Sequence, residues 1–465
     1  MKTNQAHSVM QTRSAKTASV LIIVLWVAFG LVALTLYFAH SMSLELRAAD
    51  NSVAGMEAEK AIEGAARYVS NILANAQIKG VLPDTNTYVA SGAPVGDATF
   101  WLIGRGDDQN LPTAVHFGLV DEASKLNINT AGTNLLSMLP RMTPELIASI
   151  IDWRDSDDTV TPGGAESDTY MRLNPPYRCK NGRFETVDEL RLVNGAFLEV
   201  LYGEDANLNG VLDPNENDGD LSPPYDNRDG RLDSGVLDYF TVYSRDLNTS
   251  TNGTQRVNVG AANMGQQLAP ILQNQLGAAR ANAILRRIGI GGGGGGGRGG
   301  GPPAPAPTFR SVMEFYIRSG LTSDEFAGIE DQLRNPSTNG LVNINTAGLT
   351  VLTCIPGIGI EKAATVVAFR RSLPQPIAST GWLKDALDES GVIQAGPFIT
   401  GRTYQISADI AAVGHFGRGF RRVKFVFDTS SGTPRIIFRQ ELTHMGWALG
   451  SRTLLAQNTA ARNFR

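Results

Sequence analysis

From Thr17 to Leu44 the chain carries no Asp, Glu, Lys or Arg, and the run is mostly apolar: "TASVLIIVLWVAFGLVALTLYFAHSMSL". No other feature restricts the fold as much. A helix rises about 1.5 Å per residue, so roughly 20 of these residues cross a hydrocarbon layer about 30 Å thick. Lys2, Arg13 and Lys16 precede the run with no acid among them, which predicts a cytoplasmic N-terminus and an exported remainder. A secretory signal peptide is the competing reading, but its apolar region is shorter and a small-x-small cleavage site follows it. Here the polar, helix-forming run "LELRAADNSVAGMEAEKAIEGAARYVSNILANA" follows directly. One long helix is expected, with a membrane span over 19–40 and an exported half over 41–76.

After this stem, 77–125 holds strand-like pieces, "TFWLIGRG" and "AVHFGLVDEASKLNIN". Then a phrase occurs twice. "LNINTAGTNLLSMLPRMTPELIASIIDWR" (126–154) and "VNINTAGLTVLTCIPGIGIEKAATVVAFR" (342–370) align over 29 residues without a gap, 11 of them identical. A weaker copy starts at 257, "VNVGAANMGQQLAPIL". A second element also recurs, "FETVDELRLVNG" (184–195) and "FRSVMEFYIRSG" (309–320). Recurrence at this scale predicts related packing units. The expected order is a first helical unit over 126–200, a loop region with a strand over 201–250 and a second, degenerate unit over 251–288. A Gly/Pro linker over 289–307 follows, then a third unit over 308–398. Within the loop region, "LDYFTVYSRD" (237–246) is a candidate strand of the main sheet. The last segment, 399–465, reads as a β-meander. The expected class is α+β: a long N-terminal helix and an antiparallel sheet, with a large helical domain inserted.

The sharpest chemical motif is "DANLNGVLDPNE" (205–216). It has the spacing of an EF-hand calcium loop. Asp205, Asn207 and Asn209 supply side-chain oxygens at positions 1, 3 and 5, Gly210 makes the turn, and Val211 offers a carbonyl at position 7. Asp213 stands at 9 and Glu216 closes the site at 12. The flanks do not read as helices, so an isolated EF-like loop is expected, with calcium as its ion. "YDNRDGRLD" (225–233) repeats the pattern through Asp229 and Asp233 but lacks the closing Glu. An acidic surface loop is the alternative for both. The Asp152, Asp155, Asp157 and Asp158 cluster, with Glu166, has two readings: a second cation site or a solvated acidic loop.

"PGIG" (356–359) in the third unit is the usual hairpin of a helix-hairpin-helix module, whose N–H groups can hold a phosphate. Lys362, Arg370 and Arg371 lie close in sequence. The first copy has "PRMT" (140–143) in its place but keeps the apolar frame, so packing is the shared property. A formal net charge of -4 also argues against a general nucleic-acid binder. The five histidines, His7, His40, His116, His415 and His444, have no metal spacing. The sequence has no nucleophile elbow, P-loop or dinucleotide-binding glycine set, so no enzyme is expected. Cys179 and Cys354 are far apart and fit no CxxC pattern.

The stem resembles that of type IV pilins and pseudopilins. Their leaders are cut just before the apolar segment, which here points to Ala18 and Ser19 as the cleavage pair and to prepilin peptidase as a partner. Gly is usual before the cut, and major pilins carry Glu at the fifth mature position, where this chain has Ile23. The combination of "DEASKLNINTA", "IDWRDSDDTVTPGGAESDTYMRLNPPYRCKNGRFETVDELRLVNG" and a stem without that Glu is similar to the general secretion pathway protein K family, the large minor pseudopilin of type II secretion systems. The resemblance implies a pseudopilin body with a helical insert, a place at the tip of a periplasmic pseudopilus and a single inner-membrane span. It also implies calcium binding and contacts with minor pseudopilins I and J. A membrane-anchored DNA-uptake receptor with a helix-hairpin-helix module is the alternative.

Overall fold

The computed structural model describes residues 14–106, 115–290 and 307–450, with side chains from Val20 onward. Residues 1–13 of the expected leader, residues 107–114, linker residues 291–306 and the tail after 450 lie outside the described residues. The fold is α+β. Helix α1 (Ser14–Ala74) runs unbroken through the uncharged segment and the polar run after it. It contains no proline, and its two halves do different work. Large apolar side chains from Val20 to Leu46 are exposed, and among the described residues this is the helix long and apolar enough to cross a membrane. From Ala54 onward one face is buried: Ala54, Ala58, Ala61, Ile62, Ala65, Val69 and Leu73. Their spacing of three and four is a single helical stripe, and its alanines let a sheet approach closely.

That sheet holds β1 (Ala93–Val95), β2 (Ala98–Ile103), β3 (Val120–Asp121), β4 (Gln405–Val413), β5 (Arg421–Asp428) and β6 (Arg435–Glu441). The order is β1-β2-β4-β5-β6, with β3 also on β4, and every pairing is antiparallel. Strand β4 is buried along its whole length because both faces are covered. Ile406, Ala408, Ile410 and Ala412 pack with the α1 stripe. Ala411 and Val413, on the opposite face, pack with Trp101, Ile103, Ala448 and Leu449. The turn after β4 grips the stem. A Cβ on Gly414 would lie 2.3 Å from the Ala54 carbonyl oxygen. His415 Nε2 lies 2.9 Å from Asp50 and its Nδ1 2.7 Å from Glu57, both on α1.

The helical domain leaves the sheet after β3 and returns at β4, which pairs with β3 through Asp121↔Ile406. Asp121 is the buried post at this doorway. It accepts hydrogen bonds from Ala123 N (2.7 Å), Asn343 Nδ2 (2.7 Å), Thr346 Oγ1 (2.6 Å) and Thr403 Oγ1. The segment 114–129, expected to be strand-like, holds only two two-residue strands. Asp121 caps a turn of 3-10 helix at Glu122–Ser124 instead.

The three repeats share one architecture. Each opens on a two-residue strand closed by a parallel partner. Leu126–Asn127 pairs with Phe240–Thr241, Val257–Asn258 with Leu333–Arg334, and Val342–Asn343 with Ile399–Thr400. "LDYFTVYSRD" therefore does not join the main sheet: its strand Phe240–Thr241 closes the first repeat. In each opening the Asn folds onto the backbone two residues on. Asn127 accepts from Asn129 N at 3.0 Å, Asn258 from Gly260 N at 2.9 Å and Asn343 from Asn345 N at 3.1 Å. The main helix of the first unit is α2 (Pro144–Arg154), and the second contains α3 (Met264–Leu276) and α4 (Ala278–Arg287). "FRSVMEFYIRSG" forms α5 (Val312–Ser319), capped by Ser311, and α6 (Ser323–Glu330) follows. The third unit carries α7 (Gly359–Arg371). The closure Val257–Asn258 with Leu333–Arg334 spans the linker, so α3 to α6 lie between its two ends. Both cysteines are free and buried.

Candidate functional site

The loop 205–216 begins directly after the short helix Leu198–Leu201 and ends in a turn of 3-10 helix, Pro214–Glu216, capped reciprocally by Asp213 and Glu216. Its polar side chains are tied to one another and to the loop's own backbone. Asp205 accepts from Asn209 N (2.9 Å) and Gly210 N (2.8 Å). Asn207 and Asn209 both donate to Asp213 Oδ2, at 2.9 and 3.1 Å. Asn209 accepts from Val211 N at 2.7 Å. Glu216 reaches back to Ala206 N (3.1 Å) and Asp213 N (3.0 Å), so position 12 closes over position 2.

Two arginines far away in sequence fix the outer wall. Arg422, fully buried and paired with Asp409 at 2.6 Å, donates to the carbonyls of Asn207 (2.5 Å) and Leu208 (2.6 Å). Arg105, paired with Asp238 at 2.9 Å, donates to the Leu208 carbonyl at 2.8 Å. The loop is thus docked on β5 and on the end of β2. The carboxylates face inward, away from water. Burial pushes Glu216 up to about 8, helped by the nearby charges of Asp205 and Asp213. Burial also raises Asp205 to about 6, against the pull of Arg105. Burial thus opposes ionisation of both carboxyls, as it does wherever a counter-charge is lacking, and the candidate ligand atoms are all oxygen.

The second loop repeats this geometry 20 residues on. Asn227 accepts from Asp229 N and Asp229 from Arg231 N, each at 2.8 Å, and Asn227 Nδ2 donates to Asp233 at 3.2 Å. No carboxylate of its own closes it. Glu204 does so from outside, accepting from Asp233 N at 3.0 Å and more distantly from Asn227 N at 3.4 Å. These are close to the bonds Glu216 makes in the first loop. The signal for Glu204 in the sequence was only its position beside Asp205. Arg105 and Arg422 had none, because their role depends on contacts across the chain.

One side of the "PGIG" hairpin is packed: Ile358 is buried, while Pro356 is exposed. A Cβ on Gly357 would meet the Gly391 carbonyl oxygen at 2.4 Å, so the helix Glu389–Ala395 lies against the turn. Lys362 pairs with Asp388. Arg370 is buried and donates to the carbonyls of Ile344 (3.0 Å) and Ala347 (2.7 Å). Arg154 does the same in the first repeat, to Ile128 and to Ala131 (2.7 Å). The shared Arg is thus a frame residue in both copies, not a phosphate contact. Ala18 and Ser19 fall within the first turns of α1.

Residues 122–201 match the family model described as type II secretion system (T2SS), protein K, first domain. Over this stretch the chain is similar to protein K of type II secretion systems. The matched stretch holds the first repeat opening, α2 and the aromatic core of Trp153, Tyr170 and Phe184, and it ends four residues before the first loop. Type II secretion system protein K from Pectobacterium carotovorum subsp. carotovorum is 41% identical over 51 residues. That stretch is 11% of this chain and 16% of the relative. A crystal structure of the GspK-GspI-GspJ complex from the enterotoxigenic Escherichia coli type 2 secretion system aligns over 82% of this chain and 93% of that one. Its identity is 12% and its TM-score 0.37.

Proposed function

We propose that this chain is a minor pseudopilin that caps the tip of a periplasmic pseudopilus and helps start its assembly, for export of folded proteins across the outer membrane. The observation that carries the reading is a protein K domain on a sheet fixed to the exported half of a helix whose other half is apolar and exposed. In this reading α1 spans the inner membrane once with its N-terminus in the cytoplasm. Prepilin peptidase cuts between Ala18 and Ser19. Minor pseudopilins I and J are the partners, and the role is structural rather than catalytic. The absence of Glu at position 23 fits a subunit with no neighbour above it, since no amine has to be neutralised there. The close packing of Gly357 against Gly391 and the buried Arg370 weigh against the DNA-uptake alternative.

Calcium belongs to the same reading. Asp205, Asn207, Asn209, Asp213 and Glu216, with the Val211 carbonyl, supply the oxygen donors, and the ion would relieve the buried charge of Asp205 and Glu216. The test is purification of the full chain in detergent with pseudopilins I and J of its own system, with and without calcium. A stable ternary complex is expected. Failure to associate, together with salt-sensitive binding of duplex DNA, would favour the uptake receptor. Calorimetric titration of calcium into wild type and Glu216→Gln tests the loop: the variant should lose binding there.

A further inference from the structure

We propose that the turn between β4 and β5, residues 414–420, is a foot that sets the body on the lipid surface, with the Phe416 ring seated at headgroup level. The proposal rests on the reading of α1 as a membrane span. The turn lies where the span ends. Large apolar side chains are exposed along α1 up to Leu46. His415 and Arg418 both pair with Asp50, four residues further on. Four residues of helix rise about 6 Å. The polar layer beyond the hydrocarbon is about 5–7 Å thick on each side. The stem therefore brings Asp50, and the turn bound to it, to the depth of the headgroups.

The turn is braced from within and against the stem. Gly414 N donates to the Arg418 carbonyl at 2.7 Å, and Gly417 N to the Gly414 carbonyl at 3.2 Å. A Cβ on Gly419 would lie 2.3 Å from the backbone of Ala54 and Gly55, so the two chains touch there with no side chain between them. His415 N donates to Glu57 at 2.9 Å. Within this frame Phe416 is the odd residue. Its φ is +55°, in the left-handed region that Gly or Asn ordinarily occupies. Its ring stands edge-on to His415, with centroids 5.2 Å apart, and 63% of the residue is exposed. A strained backbone that turns a large aromatic outward gains little burial from the fold. Such an outlier points to a function, and the headgroup layer is where an aromatic ring gains a partner.

The neighbourhood has the same character. Phe420 and Trp447, both half-buried and with ring centroids 5.4 Å apart, lie in the connections at the same end of the sheet. Arg47, exposed on the stem just below Asp50, supplies a cation at the depth of lipid phosphate. A contact beside the span fixes the tilt of the stem, because interfacial anchors set tilt where the length of the span does not.

The test uses the full chain in vesicles of phosphatidylethanolamine and phosphatidylglycerol, with a fluorophore on Phe416→Cys, Ser431→Cys or Leu46→Cys. Both native cysteines are buried. Ser431 lies in the turn between β5 and β6, at the other end of the sheet, and is exposed. Quenching by lipid spin-labelled near the headgroup is read at each position. The probe at 416 should be quenched roughly three-fold or more above the probe at 431, and close to the level of the probe at 46. Quenching at 46, with 416 no higher than 431, would overturn the proposal and leave the span intact. Absence of quenching at 46 would remove the span itself, and the proposal with it. Shielding of 416 from an aqueous quencher only when partner pseudopilins are added would assign the turn to them and overturn the lipid reading. Phe416→Trp, read as emission above the wild-type background that brominated lipid quenches, repeats the test without a label.

Discussion

Asp121 has donors on all sides: the Ala123 amide, the Asn343 amide group and the hydroxyls of Thr346 and Thr403. They come from the doorway turn, the third repeat and the segment returning to β4, so one carboxylate fastens the insert to the body. Asp121→Asn turns one acceptor into a donor facing donors. We expect a loss of about 1–3 kcal/mol in unfolding free energy, read by denaturant titration. A second residue governs acid behaviour. Glu325 receives Arg280 through two bonds of 2.7 and 2.8 Å and also serves the cap of α6. The Arg280 hydrogen bonds hold its carboxyl down at about 2, below its ordinary 4.5. Because the folded value is the lower one, this stabilisation is present above about pH 4.5 and fades as pH falls toward 2. The pair is partly exposed, so its share is on the order of 1 kcal/mol or less. Melting temperatures of Glu325→Gln and wild type should differ at pH 6 and converge near pH 2; a constant gap would contradict this.

At the level of elements, the hairpin separates packing from recognition. Gly357 has φ +84° and no room for a Cβ, whereas Gly359, at φ +60°, has nothing within 4 Å. Gly357→Ala should therefore destabilise by about 2 kcal/mol or more, and Gly359→Ala by about 1 kcal/mol, the cost of backbone strain alone. Equal costs in thermal unfolding would mean the turn is not pressed against Glu389–Ala395. The repeats were legible because their frame is local: an Asn two residues from its partner and an apolar stripe at helical spacing. The turn of the first loop was legible for the same reason, since the spacing of its Asp, Asn and Gly residues is a pattern within 12 residues. What closes each element was not legible. Two-residue parallel strands carry no period, and Phe240–Thr241 sits over a hundred residues from Leu126–Asn127. Glu204, Arg105 and Arg422 are likewise defined by contacts across the chain. "FETVDELRLVNG" shows the limit of reading type from likeness. Its partner is the helix α5, yet it forms only 3-10 turns at Val187–Leu192.

For the whole molecule, the stem is both anchor and core. The absence of charge identified its lower half from sequence alone. The role of its upper half depends on the sheet that alanines 54, 58, 61 and 65 admit. Truncations should therefore split sharply. A chain starting at residue 45 should be soluble and melt cooperatively, because the buried stripe begins at Ala54. One starting at residue 75 should expose the α1 face of β4 and aggregate or bind a hydrophobic dye. Thermal melts and light scattering of the two would decide. The second repeat has a further consequence. Its strand pair is set by Val257–Asn258 and Leu333–Arg334, and the flanks of the Gly/Pro stretch meet: a Cβ on Gly289 would lie 3.9 Å from Pro307. A chain that leaves and re-enters a fold at one point can be lengthened cheaply, each doubling costing about 0.6 kcal/mol in closure entropy. A fluorescent passenger domain spliced between residues 291 and 306 would therefore ride on the finished molecule without entering its architecture, an optical tag that leaves every packing contact of the fold in place.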